Sequence, residues 1–144
     1  MQGKVLKLFV THKERGHLSK KTITLDRLGV KDDKFYNKDA MRSILLSSLK
    51  SYELAFENTI CLQHGDLGEN ILIDIDPYGL VAGDKIRIGT AVLEITQNCT
   101  LCSGLSTLHS QLPKLLKKDR GIFAKVIEGS FEVNINDKVE ILSY

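Results

Sequence analysis

Apolar and polar residues alternate with period two through much of this chain, and the alternating runs are short. Residues 4–10 and 21–25 carry the β-branched and apolar pattern of strands with one buried face. A charged turn over residues 12–16 ends the first of them. Residues 32–39 are polar and irregular. Residues 42–46, opening on Arg42, read as a buried strand, and Ser47 or Ser48 is placed to cap a short helix carrying Leu49, Tyr52 and Leu54. Residues 70–75 form a further strand, stopped by the turn Asp76-Pro77-Tyr78-Gly79. Residues 85–88 and 91–96 flank Gly89-Thr90 as a hairpin, and residues 122–127 and 138–142 are the closing strands. Leu105, Leu108, Leu112, Leu115 and Leu116 keep helical spacing. Pro113 lacks the N–H that a helix interior uses, so that helix must break or restart there.

One internal echo adds to this pattern. Residues 81–88 resemble residues 133–141, with one extra residue before the shared aspartate: a turn residue (Gly83 or Asn136), then Asp, then Lys, then an alternating strand. Gly or Asn supplies the positive φ of a tight turn, and Asp can bond its own backbone there. Two similarly built strand beginnings suit a sheet of many short strands closing on itself. The fold class expected is mainly β, a closed or partly closed barrel with a few short helices. No linker or low-complexity stretch interrupts it, so residues 1–144 are expected to form one domain.

Composition removes several function classes. Of 144 residues, 42% are apolar and 26% charged, ordinary for a chain that builds a core without disulfide or metal staples. A net charge of +2, with basic residues scattered apart from Lys114, Lys117, Lys118 and Arg120, argues against a nucleic-acid partner. Apolar stretches fall far short of the roughly 20 residues that a membrane span needs, and the first residues lack the apolar core of a signal peptide. A cytoplasmic location is therefore expected, with the three cysteines as thiols.

Three clusters could carry chemistry. Cys99-Thr100-Leu101-Cys102 lies between a strand and a helix, where the positive end of a helix dipole favours thiolate. The spacing fits a redox or sulfur-handling pair, or half of a zinc site that Cys61, His64 or His109 would complete, or simple packing residues. His64-Gly65-Asp66-Leu67-Gly68-Glu69-Asn70 is a constrained polar turn before a strand. It lacks the Gly-Lys-Ser/Thr ending of a phosphate loop. Arg120, beside Gly121 at a strand beginning, has the planar fork that clamps an anion, though a basic run at a helix end is also a common solvated feature. Arg42, opening an apolar strand, needs a carboxylate, an anion or solvent.

Taken in order, these segments resemble the MOSC domain, named for the C-terminal domain of molybdenum cofactor sulfurase. The resemblance runs from residues 28–33 through 42–46 to its strongest part, Gly65-Asp66-Leu67-Gly68-Glu69-Asn70-Ile71. It continues over residues 81–89 and 93–97, Cys102, Arg120-Gly121 and residues 136–139. It implies a β-barrel of the pyruvate-kinase-like kind. It also implies that Cys102 carries sulfur as a persulfide, or ligates molybdenum of a pterin cofactor, with Arg42, Glu69, Asn70 and Arg120 lining the same pocket. Members usually show Pro-Arg-x-Pro-Cys, where this chain has Asn98-Cys99-Thr100-Leu101-Cys102. Cys99 thus replaces an arginine, removing an anion contact and adding a thiol that can resolve a persulfide on Cys102. The chain is too short to hold a pyridoxal-phosphate desulfurase domain as well. The resemblance therefore implies a sulfur transferase, or a component of a molybdenum-cofactor-dependent oxidoreductase. Its partners would be a cysteine desulfurase or other sulfur donor and a molybdenum-cofactor biosynthesis or acceptor protein.

Overall fold

The computed structural model describes residues 2–100 and 105–142. Seven strands close into a barrel. In chain order they are β1 (Gln2–His12), β5 (Ile44–Ser48), β6 (Ile71–Ile73), β7 (Lys85–Ile88), β8 (Ala91–Asn98), β9 (Ile122–Val126) and β11 (Lys138–Ile141). Around the barrel the order is β1-β11-β7-β8-β9-β5-β6 and back to β1. Closure depends on the length of β1. Its first residues pair with β11 (Lys4 opposite Lys138), its middle with β6 (Leu8 opposite Ile71), and its last with β2 (Gly16–Lys20) in a projecting hairpin. A second sheet of β10 (Ser130–Asn134), β3 (Thr22–Asp26) and β4 (Gly29–Val30) lies beside the barrel.

Alternation explains which residues are buried. Ile44 and Leu46 of β5, Ile71 and Ile73 of β6, and Ile122, Ala124 and Val126 of β9 fill the interior, together with Ile23, Leu25 and Val133 of the second sheet. Their odd-numbered or even-numbered neighbours, Leu45, Ser47, Leu72 and Phe123, face outward. Helix α1 (Leu49–Glu57) covers part of this outer face through Tyr52 and Ala55, and α2 (Leu105–Leu108) and α3 (Leu112–Leu115) add Leu105 and Leu112 to the same cluster. Ser48 caps α1 by accepting from Lys50 N–H at 3.2 Å, as its sequence position suggested. Pro113 falls in the first turn of α3, where its missing N–H costs nothing.

The echoed segments form the same turn. Gly83 has φ 96° and Asn136 φ 75°. Asp84 accepts from Val81 N–H at 2.9 Å and Asp137 from Asn134 N–H at 2.8 Å. The strands that follow, β7 and β11, are antiparallel neighbours in the barrel. One expectation needs correction, and two strands are additions. Strand β5 begins at Ile44, because Asp39 accepts from Met41 N–H and turns residues 40–42 into a short 3₁₀ helix that includes Arg42. Strands β2 and β10 form in segments where the alternating pattern predicts no strand. They are held by register with β1 and β3 rather than by their own composition.

Candidate functional site on the outer face of β5, β6 and β9

The chain enters this region through a bulge. Register between β8 and β9 shifts between Ile95 and Gln97, and the Thr96 hydroxyl donates to the Met41 carbonyl at 2.6 Å. Such bulges redirect a strand end. Beyond it, Cys99 donates its N–H to the Gly121 carbonyl at 3.0 Å and buries its side chain against Leu45 and Phe123. A side chain at Gly121 would press on Leu45 at 2.9 Å and the Leu46 carbonyl at 3.1 Å, so the close approach of β9 to β5 requires glycine. Cys102 lies outside the described residues.

Glu69 and Asn70 sit together at the start of β6, and each does something specific. Asn70 is a structural pin. Its Oδ1 accepts from Leu45 N–H at 3.0 Å, and its Nδ2 donates to the Phe9 carbonyl at 3.2 Å and to Asp33 Oδ1 at 3.3 Å. Asp33 in turn accepts from Thr11 N–H at 2.6 Å and Phe35 N–H at 3.0 Å. The buried amide and carboxylate thus lock the loop after β4 onto β1 and β5.

Glu69 is fully buried. Its Oε2 accepts from Tyr52 OH at 2.5 Å and Ser47 Oγ at 2.8 Å, while Oε1 has no hydrogen-bond partner among the described residues. Burial, and then the Glu69 charge, push the Tyr52 phenol far up, so it remains a donor. That phenol also accepts from Gly65 N–H at 3.0 Å, which fixes the loop over Glu69.

A residue that sequence reasoning passed over completes this cluster. His17 stacks on Phe9, with ring centroids 4.9 Å apart, and its Nδ1 lies 2.7 Å from Thr11 Oγ1. Its Nε2 is buried on the side of the Glu69 backbone. Burial lowers its pKa, against the opposing pull of Glu69, Asp33 and Asp66. The only sequence signal was an imidazole in a segment of alternating polarity.

The two arginines flank this face. Arg120 is half-buried and donates through Nη2 to the Leu67 carbonyl at 3.3 Å, so it touches the same loop that carries Glu69. Its backbone is held from two sides: Tyr78 OH, in the turn after β6, donates to the Arg120 carbonyl at 3.4 Å, and Lys50 of α1 pairs with Asp76 at 3.0 Å and Asp119 at 3.3 Å. Arg42 is exposed. Register pairs Leu46 with Ile122, which sets Arg42 and Arg120 at opposite ends of the β5–β9 ladder with Leu45, Cys99 and Phe123 between them. The other candidate ligands are dispersed. Cys61 is exposed, His64 packs edge-on against Tyr52 at 5.0 Å, and His109 accepts from Gln111 N–H beyond α2. Among the described residues no three His, Cys, Asp or Glu side chains converge as a metal site.

The family model of the MOSC domain matches residues 27–140, from the second sheet through the last strand of the barrel. The chain belongs to the MOSC domain family. Solved structures share the fold. The YuaD protein of Bacillus subtilis superposes with a TM-score of 0.84 at 18% identity, over 100% of this chain and 97% of that one. YiiM of Escherichia coli gives 0.73 at 21% identity, over 100% and 71%. YiiM of Geobacillus stearothermophilus gives 0.71 at 15%, over 97% and 75%. No curated protein matches the chain. At these identities the structural likeness speaks for the MOSC barrel rather than for a shared reaction. Among the described residues no helix is long and apolar enough to cross a membrane.

Proposed function

We propose that this MOSC protein carries sulfane sulfur on Cys102 and passes it to an acceptor in the cytoplasm. The observation that carries the reading is the family assignment combined with the geometry three residues before Cys102. There Cys99 is tied to Gly121, next to Arg120, on the face that also holds Glu69. In the first step the Cys102 thiolate attacks the outer sulfur of a donor persulfide. The donor's S–S bond breaks, and the donor departs as a thiolate with the electron pair, leaving Cys102 as a persulfide. A cysteine desulfurase is a suitable donor, since this chain supplies no pyridoxal-phosphate site in the reading. Arg42 and Arg120 contribute positive potential that favours the thiolate. Glu69 and Asn70 act indirectly, by fixing the loop against which Arg120 rests. If the Cys99 thiolate then attacks the inner sulfur of that persulfide, a Cys99–Cys102 disulfide forms and hydrosulfide leaves. The burial of Cys99 slows this branch.

Incubation with a persulfide donor, followed by mass-spectrometric mapping of modified thiols, tests the reading. Sulfur on Cys102 is the expected result. Labelling of exposed Cys61 with Cys102 untouched would sink it.

A second reading has one observation in its favour, the buried Glu69 Oε1 without a donor among the described residues. That acceptor suits the N–H edge of a pterin, and Arg120, which touches the same loop, suits its phosphate; Asn70, spent on backbone and Asp33, does not. A bound molybdenum cofactor would supply a soft metal for the Cys102 thiolate. In this reading Arg120 holds the anion and Glu69 orients the ring, while Arg42, at the far end of the β5–β9 ladder, takes no part, and the protein serves a cofactor-biosynthesis or acceptor partner. Stoichiometric molybdenum and pterin in protein from a molybdenum-replete host would favour it over sulfur carriage.

A further inference from the structure

The projecting β1–β2 hairpin has two unlike faces. Phe9, Thr11 and His17 point to the Glu69 cluster. The pairs Leu8–Lys20, Val10–Leu18 and His12–Gly16 occupy the other face, with Val10 in the barrel core and Leu18 packed against it. On that second face, between the hairpin and the loop after β4, lies a cleft of about 490 Å³. None of its lining residues belongs to the set Arg42, Glu69, Asn70, Cys99, Cys102 and Arg120.

Four cations rim the cleft: Lys13, Arg15, Lys20 and Lys34. None of them has an ion-pair partner among the described residues. Two carboxylates also line it, but Asp33 is already engaged by two backbone N–H groups and the Asn70 amide. Asp32 is exposed. His12 accepts from Glu14 and Arg15 N–H through Nδ1, which puts the proton of its neutral ring on Nε2, a donor for the cleft.

The walls are fixed to each other. Lys34 donates its N–H to the Thr11 carbonyl at 2.7 Å, opposite the bond from Thr11 N–H to Asp33. Val10, Leu18 and the Tyr36 ring give the cleft an apolar side, and the Tyr36 hydroxyl is engaged by Asp26 at 2.6 Å. Several cations beside an apolar wall, in a cleft whose walls are already joined, suit a ligand that is anionic at one end and flat or apolar at the other.

We propose that this cleft binds a small organic phosphate of about mononucleotide size, its phosphoryl groups on Lys13, Arg15, Lys20 and Lys34 and its apolar part against Val10, Leu18 and Tyr36. The site is separate from sulfur carriage and stands or falls independently of it. Adenosine 5′-diphosphate is the probe, adenosine the uncharged control, and both are titrated by calorimetry and by amide chemical shifts. The diphosphate binds and adenosine does not, and the shifts fall on residues 12–20 and 31–36. The exposed pair Lys20→Ala and Lys34→Ala together weaken binding by at least about tenfold. Lys125→Ala, in a pair with Glu94, leaves binding unchanged. Unaltered circular dichroism shows that the variants fold. Any of four results overturns the proposal: no binding at millimolar diphosphate, equal binding by the double variant, shifts centred on Arg42 or Arg120, or displacement of the diphosphate by a single-stranded oligonucleotide at lower concentration.

Discussion

Replacing Asn70 by alanine would strip partners from Leu45 N–H and from the Phe9 carbonyl, and would leave Asp33 with one donor fewer. Buried groups deprived of a hydrogen bond cost about 1–3 kcal/mol each, so a loss of about 3 kcal/mol in urea unfolding is expected. A loss below about 1 kcal/mol would mean that water replaces the amide. His17 acts through protons instead. Its pKa is lowered in the folded protein, so between that value and the unfolded value near 6.5 the unfolded chain binds more protons. Stability should therefore be constant above neutrality and fall as pH drops through 6.5, and His17→Asn should flatten this dependence. The comparison has to be made against Glu69, Asp33 and Asp66, which face the ring and oppose the shift. An unchanged profile in the variant would show that His17 is not the source of the acid loss. The sequence marked Glu69 and Asn70 as a constrained polar pair, but not their partners. Asp33 lies 37 residues from Asn70 along the chain and Ser47 22 residues from Glu69. Such contacts have no local periodicity to betray them.

Elements with their own chemistry were legible, and those that borrow stability were not. The turns before β7 and β11 announced themselves because each needs a positive φ and an aspartate acceptor within a few residues. Helix α1 did so through Ser48. Strand β2, with the sequence Gly-His-Leu-Ser-Lys, has little intrinsic strand preference. It exists because five residues pair with the end of β1. Strand β10 likewise rests on five pairs with β3. The turn aspartates offer a direct comparison. Asp137→Ala and Asp84→Ala each remove one side-chain cap from a backbone N–H, and each should cost about 1 kcal/mol in thermal or urea unfolding. The Asp137 carboxylate also lies against Gly89 in the β7–β8 turn, whereas the Asp84 carboxylate caps its own turn at Val81 N–H. Asp137→Ala is therefore expected to be the more damaging of the two. The reverse order would show that this packing contributes nothing.

At the scale of the molecule, the barrel is closed by a strand pair from the two ends of the chain, β1 with β11, while the smaller sheet adds its inward residues to the same interior. Ile23, Leu25, Val30 and Val133 of the smaller sheet share one core cluster with the barrel strands and Tyr78, so the smaller sheet buries no core of its own. The site inherits its rigidity from this arrangement: β5, β6 and β9 hold the face between Arg42 and Arg120, and the loop carrying Asp33 joins that face to β1. A chain built this way should unfold as one cooperative unit, with far-ultraviolet circular dichroism, tyrosine fluorescence and amide exchange of both sheets giving one midpoint. Val133→Asp would place a charge in the shared interior and should destabilise the whole unit by upwards of about 4 kcal/mol. If it melted only β3 and β10, while the barrel kept its own transition, the smaller sheet would be an accessory. The face beneath Glu69 would then owe its order to the seven-stranded barrel alone.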